Sequence, residues 1–127
     1  MKLQELANIS GNFPSREKAM PVIFIGHGHP MNALWDNDFT RTLTRLGRTI
    51  DKPSAVLVIS AHRETVSTYV SVNPAPRTIY DFGGFAKELF EVRYEPEGYP
   101  ELARELKSAV SITDVQEDHA MGLDHGA

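Results

Sequence analysis

Two short, unbroken apolar runs rich in β-branched residues stand out in the first half of the chain. VIFI at 22–25 is closed by Gly26, and AVLVIS at 55–60 ends at Ala61-His62. Runs this short and continuous, bounded by turn residues, predict buried strands. Between them the period changes. Over 36–50, Phe39, Leu43, Leu46 and Ile50 recur at steps of four, three and four, while Arg41, Thr44, Arg45 and Arg48 fill the other face. That spacing predicts an amphipathic helix with one buried stripe. It stops before Pro53, because a proline pushes the residue ahead of it away from helical angles.

Beyond residue 60 the signals weaken. Val66, Thr68, Val70 and Val72 alternate with other residues and predict a third strand, at a sheet edge. NPAPRTIYDFGGF at 73–85 holds two prolines and a Gly-Gly pair and reads as loop. A short helix is expected over 86–91. Another opens at Pro100, in a first turn where the missing N–H costs nothing, with Leu102, Leu106 and Val110 as its stripe. A further strand is expected over 112–115, followed by a polar loop. Residues 1–20 are polar and carry Gly11, Asn12, Pro14 and Ser15, so they read as an N-terminal arm before one domain over 21–127.

Strand, helix, strand over 22–60 is a βαβ unit, whose crossover lays the two strands parallel in one sheet. Strands this apolar imply cover on both faces. The expected class is therefore α/β, a mostly parallel sheet with helices on both faces. Ligands in such sheets sit beyond the carboxyl ends of the strands.

Composition narrows the function. The 127 residues are 41% hydrophobic and 24% charged, as in an ordinary globular domain. Thirteen basic against 17 acidic side chains give a net charge of −4, which leaves no electrostatic footprint for nucleic acid. The apolar runs are far shorter than the roughly 20 residues of a membrane span, so no membrane partner is expected. With no cysteine there is no disulfide scaffold, thiolate metal site or cysteine nucleophile. The opening residues lack the apolar stretch of a secretory signal, and the expected location is the cytoplasm.

The chain has five histidines, at 27, 29, 62, 119 and 125. His27 follows VIFIG and His62 follows AVLVIS, so both leave the carboxyl edge of the predicted sheet. Neighbouring strands lie about 4.8 Å apart, which lets two such imidazoles converge on one ion. Imidazole ligands without thiolate suit zinc, iron, copper or nickel and argue against a structural zinc clamp. The alternative is that each is an ordinary hydrogen-bonded histidine at a strand end.

Other motifs carry less. GHGH lacks the third glycine of a dinucleotide-binding loop, and His-Pro follows where a helix should open. Asp81 lies in a DFGG stretch without the rest of a kinase set, so that stretch reads as a turn built on its glycines. Glu88, Glu91 and Arg93 read as a solvated face, and His119 as exposed. Asp124 precedes His125, but adjacent residues seldom face each other, so His125 is expected to act without it.

Taken together, PVIFIGHGHPMNAL, LVISAHRE, RTIYDFGGFAKELFEVRYEPEG and MGLDHGA, in that order, resemble the class III extradiol ring-cleavage dioxygenases. The nearest branch is the DOPA extradiol dioxygenase-like group. The resemblance runs from Pro21 to the end of the chain and covers about half of the family domain. It implies a non-haem metal enzyme that opens a catechol-type ring with O2. His27 and His62 would hold the metal, iron(II) as the working ion or zinc as the bound one, and His125, the catalytic group of this half, would lie either behind the ligands or against the substrate. The expected partners are a small aromatic diol and O2.

The departures from the family pattern matter as much. His29 stands where the family has serine, and Arg63 and Met121 where it has tryptophan. His29 could add a ligand or fill space, and it is expected to fill space. The family's further histidine ligand and its base lie in a second half that these residues do not include. The resemblance thus implies a truncated chain, inactive alone, whose exposed sheet edge favours self-association. Two other readings stay open: a non-catalytic fragment or binding module, and a metal-dependent hydrolase using the same histidine pair. The substrate-binding residues are not legible.

Overall fold

The computed structural model describes residues 20–127, so all of the expected N-terminal arm except Met20 lies outside the described residues. Its regular elements are few and short. A 3-10 turn at Pro30–Ala33 leads into helix α1, Asp38–Thr49. Strand β1, Thr68–Ser71, is followed by a second 3-10 turn at Lys87–Glu91, helix α2, Pro100–Ala109, and strand β2, Val115–Asp118.

β1 and β2 pair in parallel, with Thr68 opposite Val115 and Ser71 opposite Asp118. Parallel neighbours need a crossover, and α2 supplies it by packing on both strands. The α/β class therefore holds, with its parallel sheet and crossover helix. Arg104 and Lys107 on α2 reach Glu117 on β2 at 3.3 and 3.2 Å, tying helix to sheet at its rim. The core sits here: among the described residues, Val72, Leu89, Ala103 and Val115 are buried. Among the described residues, no helix is long and apolar enough to cross a membrane.

Where the βαβ unit lies is a correction. Residues 22–25 and 55–60 form no ladder, and most of their side chains are exposed: Phe24 is 100% exposed and Ile59 88%. The unit that forms is β1–α2–β2. An apolar run marks a tendency to be buried, but a strand exists only where another segment supplies its hydrogen-bond partners. No described segment pairs with either run. The helix between them does form, and a capping box explains its start. The Asn37 side chain accepts from the Thr40 N–H at 3.0 Å, and the Thr40 hydroxyl accepts from the Asn37 N–H at 3.0 Å.

Pairing resumes past the sheet and carries the chain to the candidate site. Thr78 and Leu123 form an isolated parallel bridge, with Ile79 N–H donating to Leu123 C=O at 2.7 Å. Leu123 N–H donates to Arg77 C=O at 2.8 Å. Asp81 and His125 leave this bridge at its carboxyl end, where ligand sites of parallel sheets are built.

Candidate metal centre

Three loops meet beyond that end. His27 arrives after Gly26, and its backbone is held from below: Asn32 Nδ2 donates to His27 C=O at 3.0 Å. Asn37, the cap of α1, donates in turn to Asn32 Oδ1 at 3.0 Å, so the helix start fixes the histidine loop. Gly28 takes φ +66°, a left-handed angle that any β-carbon would strain. His62 follows the 55–60 run, and His125 follows the bridge.

Sequence reasoning singled out all three, and the structure brings them together. His27 Nε2 and His62 Nε2 face each other at 2.7 Å. The His125 ring lies 4.0 Å from the His62 ring and 5.5 Å from the His27 ring, centroid to centroid. One nitrogen from each lies within 4.8 Å of the others. His29 is not among them. Its Nδ1 accepts from the Met31 N–H at 3.2 Å, capping the 3-10 turn, and its ring stacks on Trp35 at 4.9 Å. It stays outside the cluster, and its contacts are with that turn and the Trp35 ring. His119 is exposed, as expected, its Nε2 3.9 Å from Glu117.

Two carboxylates organise the histidines. Asp81 Oδ1 accepts from the His125 backbone N–H at 3.0 Å and lies 2.8 Å from His125 Nδ1. Burial pushes the Asp81 carboxyl up, but the hydrogen bonds from His125 outweigh it and leave the carboxyl below its ordinary value. Asp124 is buried and accepts from the Ser60 hydroxyl at 2.6 Å and the Gly126 N–H at 2.9 Å. Ser60 Oγ accepts in its turn from the His62 N–H at 3.2 Å. Asp124 thus serves the His62 loop. Gly126 presses so closely that a β-carbon there would meet His62 Cδ2 at 2.6 Å and Ser60 Oγ at 2.7 Å.

The sequence reading missed Asp81, Ser60 and Asp124 in these roles. It singled out the DFGG stretch but assigned it to turn geometry. The signal that could have found Asp81 is topological: it leaves the same sheet end as His125.

The donor set suits a metal. Neutral imidazoles bind zinc and first-row transition ions through either ring nitrogen. Two imidazole nitrogens sharing one tetrahedral ion at about 2.0–2.1 Å stand roughly 3.3 Å apart. A small outward turn of the exposed His62 ring makes that room.

Three histidines converging beyond the carboxyl end of a parallel α/β unit form a cluster that could hold a metal ion. The family model described as "Catalytic LigB subunit of aromatic ring-opening dioxygenase" matches residues 20–127, and the chain belongs to that family. It is similar to the 4,5-DOPA dioxygenase extradiol of Escherichia coli (strain K12), 44% identical over 109 residues, covering 85% of this chain and 40% of the relative. A 4,5-DOPA dioxygenase extradiol of Beta vulgaris is 38% identical over 119 residues, covering 89% and 44%. The dioxygenase tasH of Hapsidospora irregularis is 32% identical over 120 residues, covering 84% and 37%. The chain spans less than half the length of these relatives.

Proposed function

We propose that the chain carries two metal ligands and one substrate-facing acid–base histidine, His125, of a non-haem extradiol dioxygenase that opens a catechol-type ring with O2, beside the further ligand and base that the resemblance assigns to the family's second half. His27 and His62 hold the ion, with iron(II) as the working metal and zinc as the alternative occupant. The observation that carries this reading is the convergence of His27, His62 and His125 within 4.8 Å, in a family described by aromatic ring opening.

Iron(II) bound there supplies the redox chemistry that couples the ring to O2. The chain's own residues do the rest. His125 turns Nδ1 to Asp81, which leaves Nε2 as the nitrogen able to take a proton from a diol hydroxyl. Phe82 meets the His125 ring edge-on at 5.7 Å, and Phe85 meets Phe82 at 5.6 Å and His29 at 5.3 Å. These rings give the site an aromatic border suited to a flat diol.

Metal titration of the wild type against His27→Ala and His62→Ala tests the seat. Each variant is expected to lose most of the affinity, and unchanged affinity in both refutes the proposal. Catechol and O2 added after anaerobic iron loading test turnover, and a yellow ring-opened product supports the dioxygenase reading for this chain itself. The exposure of residues 22–25 and 55–60 supports a second reading, in which the chain binds metal without turning over substrate by itself. Metal binding with no product favours that reading.

A further inference from the structure

Asp81 is placed to do more than close a turn. One oxygen, Oδ1, lies 3.0 Å from the His125 backbone N–H and 2.8 Å from His125 Nδ1. The backbone contact fixes where the residue sits, and the ring contact fixes how the imidazole is rotated. The His125 side chain is 14% exposed, against 30% for Asp81, so water competes little for the ring. Asp124, the carboxylate next in sequence, is engaged by Ser60 and Gly126, which leaves Asp81 as the carboxylate that meets the His125 ring.

We propose that Asp81 is a positioning residue for His125, holding its neutral ring as the Nδ1–H tautomer with the Nε2 lone pair free for the site. The chemistry follows from the acceptor. An ionised carboxylate accepts hydrogen bonds only, so the ring nitrogen beside it must carry the hydrogen. The nitrogen left as a base is then Nε2. In a free imidazole Nε2–H is the commoner neutral form, and a base at Nε2 needs the reverse. A carboxylate that orients a histidine by its other nitrogen is a general device of metal and acid–base sites. This inference rests on the reading of His125 as the acid–base group, but its test needs neither metal nor substrate.

Long-range proton–nitrogen correlation spectra of the metal-free protein above neutral pH read the tautomer directly. A charge-assisted hydrogen bond favours one neutral form by about tenfold or more, so wild-type His125 is expected almost wholly as Nδ1–H. Dominant Nε2–H in the wild type overturns the proposal at once. In Asp81→Ala the preference is expected to fall back to that of a free imidazole, while His27→Ala leaves it unchanged. A folded Asp81→Ala protein that keeps Nδ1–H also overturns it. If that variant does not fold, the wild-type spectrum still decides the tautomer, and Asp81→Asn, which keeps the accepting oxygen, is expected to retain it. Failure of catechol turnover with the tautomer intact counts against the dioxygenase reading alone.

Discussion

The two halves of the described chain are equally apolar in places, yet they fare differently. From residue 68 onward some apolar side chains are buried, Val72 at 2% exposed and Leu89 at 3%, although Ile112 is not. In the earlier part, Val22 and Phe24 are fully exposed and Val56 is 74% exposed. The metal-binding candidates divide along the same line. His27 and His62 come from the exposed part, while His125 and both organising carboxylates come from the packed part. Ser60–Asp124 at 2.6 Å and Arg63–Asp118 at 2.7 Å fasten the one to the other. A site at such a seam takes its precision from the packed side and its openness from the other.

The largest expected effect tests that contrast directly. Leu89→Ala removes a buried side chain and is expected to cost about 2–5 kcal/mol. Phe24→Ala, at a residue in solvent, is expected within about 0.5 kcal/mol of wild type. Urea titration followed by circular dichroism measures both. Comparable losses in the two variants would show that residues 22–25 are covered in solution, and the comparison would fail.

Local pattern made some of this legible and not the rest. The helix over 36–50 was readable because its apolar period lies within one short stretch. β1, the 3-10 turn at Lys87–Glu91 and α2 fell near their expected places for the same reason, and β2 begins three residues beyond the expected start. The strands at 22–25 and 55–60 were not readable as ladders, since hydropathy names no partner. The meeting of His27 and His62 survives without their ladders, because the loops that carry them are fastened by Asn32, Ser60 and Asp124. Those fastenings were invisible to pattern. Ser60 and Asp124 lie 64 positions apart and Asp81 and His125 lie 44 apart, distances at which only the fold decides who meets.

The next effect probes the seam. Asp124→Ala leaves the Ser60 hydroxyl and the Gly126 N–H without their acceptor, at an expected cost of about 1–3 kcal/mol. Because the Ser60 hydroxyl also receives the His62 N–H, the same change loosens a proposed ligand. Zinc affinity is expected to fall about 10–100-fold, the usual loss when a ligand's support is removed. A competition titration against a chromophoric chelator reads it. Lower stability with unchanged affinity would confine Asp124 to the fold.

The smallest effect concerns the other fastening and its response to acid. The Ala120 N–H holds the Asp118 carboxyl below its ordinary value of 3.8; burial opposes this, and the Met121 N–H and the Arg63 guanidinium add to it. A carboxylate whose pKa is lower folded than unfolded binds fewer protons in the folded state, so its contribution to stability grows with pH. That contribution is fully present above about pH 4. It is lost as pH falls through the lowered folded value. Asp81 acts in the same direction, so acid weakens both the seam and the His125 support. Thermal melts of wild type and Asp118→Asn across the acid range are expected to differ most above pH 4 and to converge below it. A constant gap at every pH would show that Asp118 acts through shape and not through its charge, and Arg63 would then have no electrostatic part in joining the exposed half to the packed one.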